Sequence, residues 1–227
     1  MPDEVPDDPM PDDLTWVIVI PAKGLATAKS RLADVAGIRR PELALAMLLD
    51  TVAAASATHG VGSVLVVSDD ERIAAAASAL GAIIVPDEPR AGLNAALDHG
   101  IASARSARPD CGIALLTGDL PALRSAELGA VLHLALTSTG VIVVADREGD
   151  GTTLLAARTP AQLRPAFGSG SFARHRALGA VAVELGGIDG LRCDVDDDAG
   201  LRAALRIGVG RATVALLAAG HAQGPGS

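Results

Sequence analysis

The run from Gly112 to Leu123, GIALLTGDLPAL, constrains this chain more than any other stretch. Ile113–Leu116 is apolar at every position, so a strand formed there must be covered on both faces. Such a strand belongs in a mostly parallel sheet with helices on either side. The Thr117–Gly118 turn delivers Asp119 just past the carboxyl end of that strand, where open α/β sheets bind their ligands. Pro121 predicts a helix starting directly afterwards. A carboxylate so placed has two readings: it caps that helix, or it holds a divalent cation that in turn holds phosphate.

The rest of the chain alternates in the same way. Trp16–Ile20 (WVIVI) reads as a first strand, apolar on both faces and ended by Pro21. Further strands are predicted over Val61–Val67 and Ala82–Val85. Helices are predicted over Pro41–Thr58, Glu71–Leu80 (capped by Asp69 or Asp70), Asn94–Ala104 and Ser125–Leu136. In the first helix Leu43, Met47, Leu48 and Val52 form a core stripe. Val141–Ala145 and Thr153–Ala157 are joined only by the Gly-rich turn Arg147–Thr153, which predicts a hairpin and hence a mixed sheet. Short strands over Ala180–Leu185 and Leu191–Val195 follow, then helices over Ala199–Ile207 (capped by Asp197 or Asp198) and Val209–Ala219. No internal repeat or linker interrupts the pattern. The expectation is one α/β domain over residues 15–219, a disordered acidic Pro-rich tail over 1–14 and a frayed tail over 220–227.

Composition narrows the function. Aromatics are 1% of the chain, which disfavours the stacking platforms of single-strand nucleic-acid binders. Net charge is -8, but six acids (Asp3, Glu4, Asp7, Asp8, Asp12, Asp13) sit in the tail, so the body is near balance and has no basic field for a polynucleotide. Cys111 and Cys193 flank apolar strands and read as reduced core residues. No apolar run reaches the roughly 20 residues of a membrane span. The acidic N-terminus is the opposite of a signal peptide, and a cytoplasmic location is expected.

Four segments carry candidate chemistry. The loop Ala22–Leu32 (AKGLATAKSRL) brings Lys23, Lys29 and Arg31 directly after the first strand, a natural triphosphate site; the alternative is a solvated charged loop. It is neither a dinucleotide fingerprint nor a P-loop. Gly92-Leu93-Asn94 opens a helix and either presents backbone groups and the Asn94 amide to a base or uses Asn94 as a cap. In Phe167–Arg176 (FGSGSFARHR), glycines and serines can surround an anion, with Arg174, His175 and Arg176 adding charge. His175 is a general acid or, more commonly in such a setting, a polar surface residue. In CDVDDDAG, Asp194 and Asp196 are two apart and share a face if the strand continues. Three carboxylates can hold one or two Mg²⁺ and the basic loop can hold phosphates, which is the equipment for phosphoryl or nucleotidyl transfer.

In their order and spacing, IPAKGLATAKSRL, LLTGDLPAL, GTTLL, FGSGSFARHR and LRCDVDDDAGL resemble the 2-phospholactate/phosphoenolpyruvate guanylyltransferases of deazaflavin coenzyme (F-420) biosynthesis. The resemblance covers Trp16 to Ala218, and the Ala/Arg-rich composition looks like the actinobacterial branch, whose acceptor is phosphoenolpyruvate. It implies a Rossmann-like nucleotidyltransferase fold and transfer of GMP from GTP, with Mg²⁺ as cofactor. It implies Asp119, Asp194 and Asp196 as metal ligands, and Thr152, Gly168 and Ser171 as contacts to phosphoenolpyruvate. It also implies Lys23, Lys29 and Arg31 as phosphate ligands, Gly92 and Asn94 near the guanine, and Asp119, Lys23 and Lys29 as the catalytic set. A downstream deazaflavin-accepting transferase is an implied partner. Transfer to 2-phospho-L-lactate or 3-phosphoglycerate, and a non-catalytic GTP-binding regulator on the same fold, are the alternatives. Another nucleotidyltransferase, acting on molybdopterin or a sugar phosphate, would carry a Gly-rich first loop that this chain lacks.

Overall fold

The computed structural model describes residues 15–25, 40–88 and 90–222. At its centre lies β1 (Trp16–Pro21), with Trp16–Ile20 buried. It pairs in parallel with β2 (Val61–Val67) on one side and β4 (Gly112–Leu116) on the other. In chain order the other elements are α1 (Arg40–Ser56), α2 (Glu71–Ser78), β3 (Ile83–Val85), α3 (Leu93–Ala107), α4 (Ser125–Thr137), β5 (Ile142–Ala145), β6 (Thr152–Ala157), α5 (Ser171–Ala177), β7 (Val181–Ala182), α6 (Asp189–Arg192), α7 (Asp198–Ile207) and α8 (Arg211–Ala222). The sheet order is β3-β2-β1-β4-β6-β5-β7. β6 runs antiparallel to both β4 and β5, while β5 and β7 are parallel. The mostly parallel mixed sheet and its hairpin are therefore as the sequence predicts.

Alternation along β1 divides the core. Trp16, Ile18 and Ile20 face one layer, where Leu48 and Val52 of α1, Ile73 of α2 and Leu128 and Val131 of α4 meet them. Val17 and Val19 face the other, against Leu97, Ile101 and Ala104 of α3. A third cluster joins Leu43 and Met47 of α1 to Ala122, Cys193, Val195 and the apolar face of α7. Both cysteines are buried and unpaired with each other.

Four expectations change. No helix begins at Pro121: Leu120–Leu123 is a turn closed by the Leu123 N–H on the Leu120 carbonyl (3.1 Å), and α4 starts only at Ser125. The Pro121 carbonyl accepts instead from the Gly210 N–H (2.8 Å), 89 positions along the chain. Leu191–Val195 is not a strand. Its start is one turn of helix, because the Gly190 N–H is captured by the buried Glu127 carboxylate (3.0 Å) and Leu191 turns into the core. The strand expected over Ala180–Leu185 shrinks to Val181–Ala182 at the sheet edge. The last helix continues to Ala222 instead of ending at Ala219. Residues 1–14 and 223–227, where tails are expected, lie outside the described residues.

One long-range bond pair holds the chain's end in place. Asp50, midway along α1 and 7% exposed, accepts from the Ala212 N–H (2.8 Å) and the Thr213 N–H (2.9 Å). A side chain of the first helix thus caps the last one, satisfying donors that a helix start leaves open. Asp50→Ala should lower the unfolding free energy by about 2 kcal/mol, as expected for a lost charged cap. Denaturant titration measures this; an unchanged midpoint would mean that apolar contacts of Leu216 and Leu217 hold α8 unaided.

Candidate active site

The carboxyl edge of the sheet is assembled from four returning segments. At the end of β4 the Thr117 N–H donates to the Thr153 carbonyl (3.0 Å), and the Leu120 N–H donates to Thr51 Oγ1 of α1 (3.1 Å). Between them, a Cβ on Gly118 would press on Leu48 (2.9 Å) and Ile20 (3.2 Å), so any larger residue there would have to push these core side chains aside. Asp119 is half-buried at the tip. It stands six residues before α4, which removes the helix-cap reading.

The Asp119 carbonyl accepts from the Val195 N–H (3.1 Å). This bond sets Asp194 and Asp196, on either side of Val195, beside Asp119. They lie in an irregular extended passage, not on the face of a strand. The passage is fixed by burial of Cys193 and Val195 and by Asp197, which caps α7 through the Gly200 N–H (2.8 Å). Their donor set is hard carboxylate oxygen, which suits Mg²⁺. Among the described residues, however, no three His, Cys, Asp or Glu side chains are gathered into a cation cage. Mg²⁺ is commonly held by one or two carboxylates plus substrate phosphates, and the residues here fit that open arrangement.

The loop after β1 begins at the same edge. The Ala22 N–H donates to the Val67 carbonyl (2.9 Å), and the Leu25 N–H to Asp70 Oδ2 (2.9 Å). Asp70 also caps α2, as expected, through the Arg72 and Ile73 N–H groups. The Leu25 N–H is the main cause of its lowered pKa, partly countered by burial. Lys23 sits exposed between these anchors. Lys29 and Arg31 lie outside the described residues. Gly92, at the start of α3, is exposed with φ of 99°. Asn94 has another task from those expected. Its Oδ1 accepts from the Phe167 N–H (2.8 Å) and its Nδ2 donates to the Phe167 carbonyl (3.2 Å). Both ends of the amide are engaged by backbone, so it does not cap α3; one Nδ2–H and one Oδ1 lone pair are left over from these two bonds.

The fourth segment is the β5–β6 hairpin with the turn it carries. The buried Asp146 carboxylate accepts from the Asp150 N–H (3.0 Å) and the Gly151 N–H (2.6 Å). Asp150 in turn accepts from the Gly170 N–H (2.9 Å) and the Ser169 hydroxyl (3.3 Å). Gly168 and Gly170 have φ of 118° and 69°, the left-handed region that glycine tolerates. The Arg174 guanidinium closes the turn on the Ala166 and Ser169 carbonyls, so its charge is engaged within the turn. The ladder slips where Ala145 pairs with Thr152, leaving Thr153 as the extra residue of a bulge, a device common beside active sites.

The structure brings Thr152, Gly168 and Ser171 together around His175. Far from being a surface residue, His175 is 1% exposed and lies edge-on to Phe167, with ring centroids 5.0 Å apart. Its Nε2 accepts from the Ala166 N–H (3.0 Å), so the proton of the neutral ring is on Nδ1, 2.9 Å from Thr152 Oγ1. Burial, and then the neighbouring Arg174 charge, lower its pKa to about 4, which leaves it neutral and unfit as a general acid near pH 7. The hydroxyl oxygens of Thr117, Thr153 and Ser171 are buried without a hydrogen-bond partner. Buried polar atoms are normally satisfied, so these three hydroxyls are candidates for contact with a polar ligand or bound water. Thr117 carried no sequence signal beyond standing two residues before Asp119.

The fold and this edge define a nucleotidyltransferase-like α/β protein. Its structural neighbours include a 4-diphosphocytidyl-2C-methyl-D-erythritol synthase (TM-score 0.58, 10% identity, 86% of this chain and 99% of that one). Another is CMP:2-keto-3-deoxy-manno-octonic acid synthetase with CTP (TM-score 0.54, 18% identity, 85% and 98%). At these identities the likeness concerns the fold. The model of the guanylyl transferase CofC-like family matches residues 16–183, and the chain belongs to that family. Among its relatives are the phosphoenolpyruvate guanylyltransferases of Thermomonospora curvata (52% identical, 95% of this chain and 94% of that protein) and Streptomyces avermitilis (53% identical, 93% and 98%).

The buried His175 gives a pH signature. Its folded pKa lies below the unfolded value, so its stabilising effect is complete above pH 6.5 and is lost as pH falls from 6.5 toward 4. The loss should reach roughly 3 kcal/mol. The depressed Asp70 and Asp197 carboxyls act lower, their contributions fading as pH falls below 3.8. Denaturant titrations at pH 7, 5.5 and 4.5 should show the decline, and His175→Gln should flatten it.

Proposed function

We propose that this protein transfers GMP from GTP to the phosphate of phosphoenolpyruvate, releasing pyrophosphate. The observation that carries this reading is the single backbone bond from Thr117 to Thr153. It sets Asp119, with Asp194 and Asp196 beside it, one strand away from the cluster of Thr152, Gly168 and Ser171. A carboxylate-rich place for a nucleotide's metal thus adjoins a group of small polar residues suited to a second substrate. The relatives that carry this activity in their names match along nearly their whole length, which supports the same choice of substrates.

On this reading the acceptor phosphate, already an anion near neutral pH, attacks the α-phosphorus of GTP in line, and no general base is required. His175 is neutral and buried, so it neither removes nor delivers a proton in this step. Lys23, with Lys29 and Arg31, neutralises the β- and γ-phosphates as pyrophosphate departs. The backbone around Gly92 lies toward the guanine. Mg²⁺, held by Asp119 with Asp194 or Asp196 and by the phosphates, would supply the positive charge that offsets repulsion between the two phosphate groups. The product is an activated phosphoanhydride, and a deazaflavin-accepting transferase is the step expected to consume it on the route to coenzyme F-420.

Pyrophosphate release should occur with Mg²⁺, GTP and phosphoenolpyruvate. It should be slower with 2-phospho-L-lactate or 3-phosphoglycerate, and should stop on chelation and return on adding Mg²⁺. No release with any of the three acids, from folded protein that binds GTP, would point to a non-catalytic GTP-binding regulator. Asp119→Asn should lower kcat by roughly a hundredfold or more, the scale of a lost contact to a catalytic cation, with the melting curve preserved. Near-normal turnover in that variant would remove Asp119 from the metal site.

A further inference from the structure

We infer that His175 is a positioning residue: its Nδ1–H fixes the Thr152 hydroxyl as a hydrogen-bond donor toward an anionic, acceptor-only group of the phospho-acid, its carboxylate. This deepens the proposed function and rests on Thr152 as an acceptor contact. The geometry is closed on the protein side. The Ala166 N–H occupies Nε2 at 3.0 Å, so the neutral ring carries its proton on Nδ1. That proton meets Thr152 Oγ1 at 2.9 Å. A threonine hydroxyl has one hydrogen and two lone pairs. With one lone pair taken by His175 and no other protein partner among the described residues, the hydroxyl hydrogen is left to point at a ligand.

Two further features aim it. Ser171 lies one helical turn before His175 on α5, with its hydroxyl buried and unpartnered on the same side. The Asn94 amide holds Phe167 from both its N–H and its carbonyl, fixing the backbone that leads into Gly168. A hydroxyl able to donate in two directions, or to turn and accept, would suit neutral and charged ligands alike. With His175 donating to it, the hydroxyl keeps its hydrogen for the ligand and has only one lone pair left, which favours an anion over a group that must itself donate.

The test separates the two ring nitrogens. In His175→Asn the amide nitrogen stands where Nδ1 stood and still donates to Thr152. In His175→Gln the amide reaches the Nε2 position and leaves Thr152 undirected. With GTP saturating, His175→Gln and Thr152→Val should each raise the KM for phosphoenolpyruvate by about ten- to a hundredfold, the worth of a hydrogen bond to a charged group. His175→Asn should stay within about threefold. The KM for GTP should not move, and the His175→Gln/Thr152→Val pair should be no worse than the poorer single variant, because both remove one interaction. Equal effects of His175→Asn and His175→Gln, or additivity in the pair, would overturn the inference. If His175→Gln does not fold, Thr152→Val decides alone, and an unchanged KM there also overturns it. Nitrogen-15 NMR of histidine-labelled wild type, without substrate, gives a readout independent of turnover. An Nδ1–H tautomer for His175 supports the inference, and an Nε2–H tautomer refutes it whatever the activity. Wild type with the correct tautomer but no turnover of any phospho-acid would sink the proposed reaction, and the positioning role with it.

Discussion

The reversal of β6 inside an otherwise parallel sheet is the constraint on which the site depends. A parallel strand in that slot would reach the carboxyl edge at its far end, after a long crossover. The reversed strand arrives there at its first residues, straight out of a tight turn. Thr152 and Thr153 are therefore placed beside Thr117 by the ladder itself, and the bulge between them lets consecutive threonines serve the same edge. The turn is built on Asp146, whose carboxylate replaces a solvent shell with the Asp150 and Gly151 N–H groups. One half of the edge comes from the parallel strands β1 to β4 and the other from a hairpin, and they meet along the β4–β6 ladder, which the Thr117–Thr153 bond carries to the edge.

The acidic passage is held quite differently. No ladder supports Asp194 and Asp196. Their place follows from contacts between residues far apart in the chain: Val195 to the Asp119 carbonyl, Gly190 to Glu127, Gly210 to Pro121 and Arg124 to Ile207 (2.8 Å). Arg192 ties the same segment to the Asp146 carbonyl (3.2 Å), linking it to the hairpin turn. Each uses a backbone group that regular structure would otherwise satisfy, which is why these segments are turns and single helical turns in place of the expected strand and helix.

What the sequence made legible follows the same division. β1, β2 and β4 announce themselves as apolar runs because a strand buried on two faces leaves no room for polar residues. Asp119 stands out because an acid directly after such a run has few structural reasons to be there. Asp70 was readable as a cap, but not as the anchor of Leu25, since that bond spans 45 positions. Asn94 sits where a helix begins and so looks like a cap; only the fold brings Phe167 against it. His175 lies between two arginines, a local signature of exposure, yet the helix turns both arginines outward and the imidazole in behind Phe167. Asp50 gives no local sign at all, because the donors it serves lie 162 and 163 positions away.

The clamp of α8 by Asp50 also sets when competence can arise during synthesis. Once Ala182 has been made, every strand of the sheet exists, and the edge with Asp119, Thr152 and Ser171 can close as a unit. The passage with Asp194 and Asp196 cannot be seated then, since the helices that pack it against α1 have not yet been joined to the chain. A ribosome-bound intermediate would have a finished scaffold and an unfinished charge centre. The last helix, binding a carboxylate laid down in the first, acts as a latch. Seating of the acidic passage thereby waits on α7 and α8, and not on completion of the sheet.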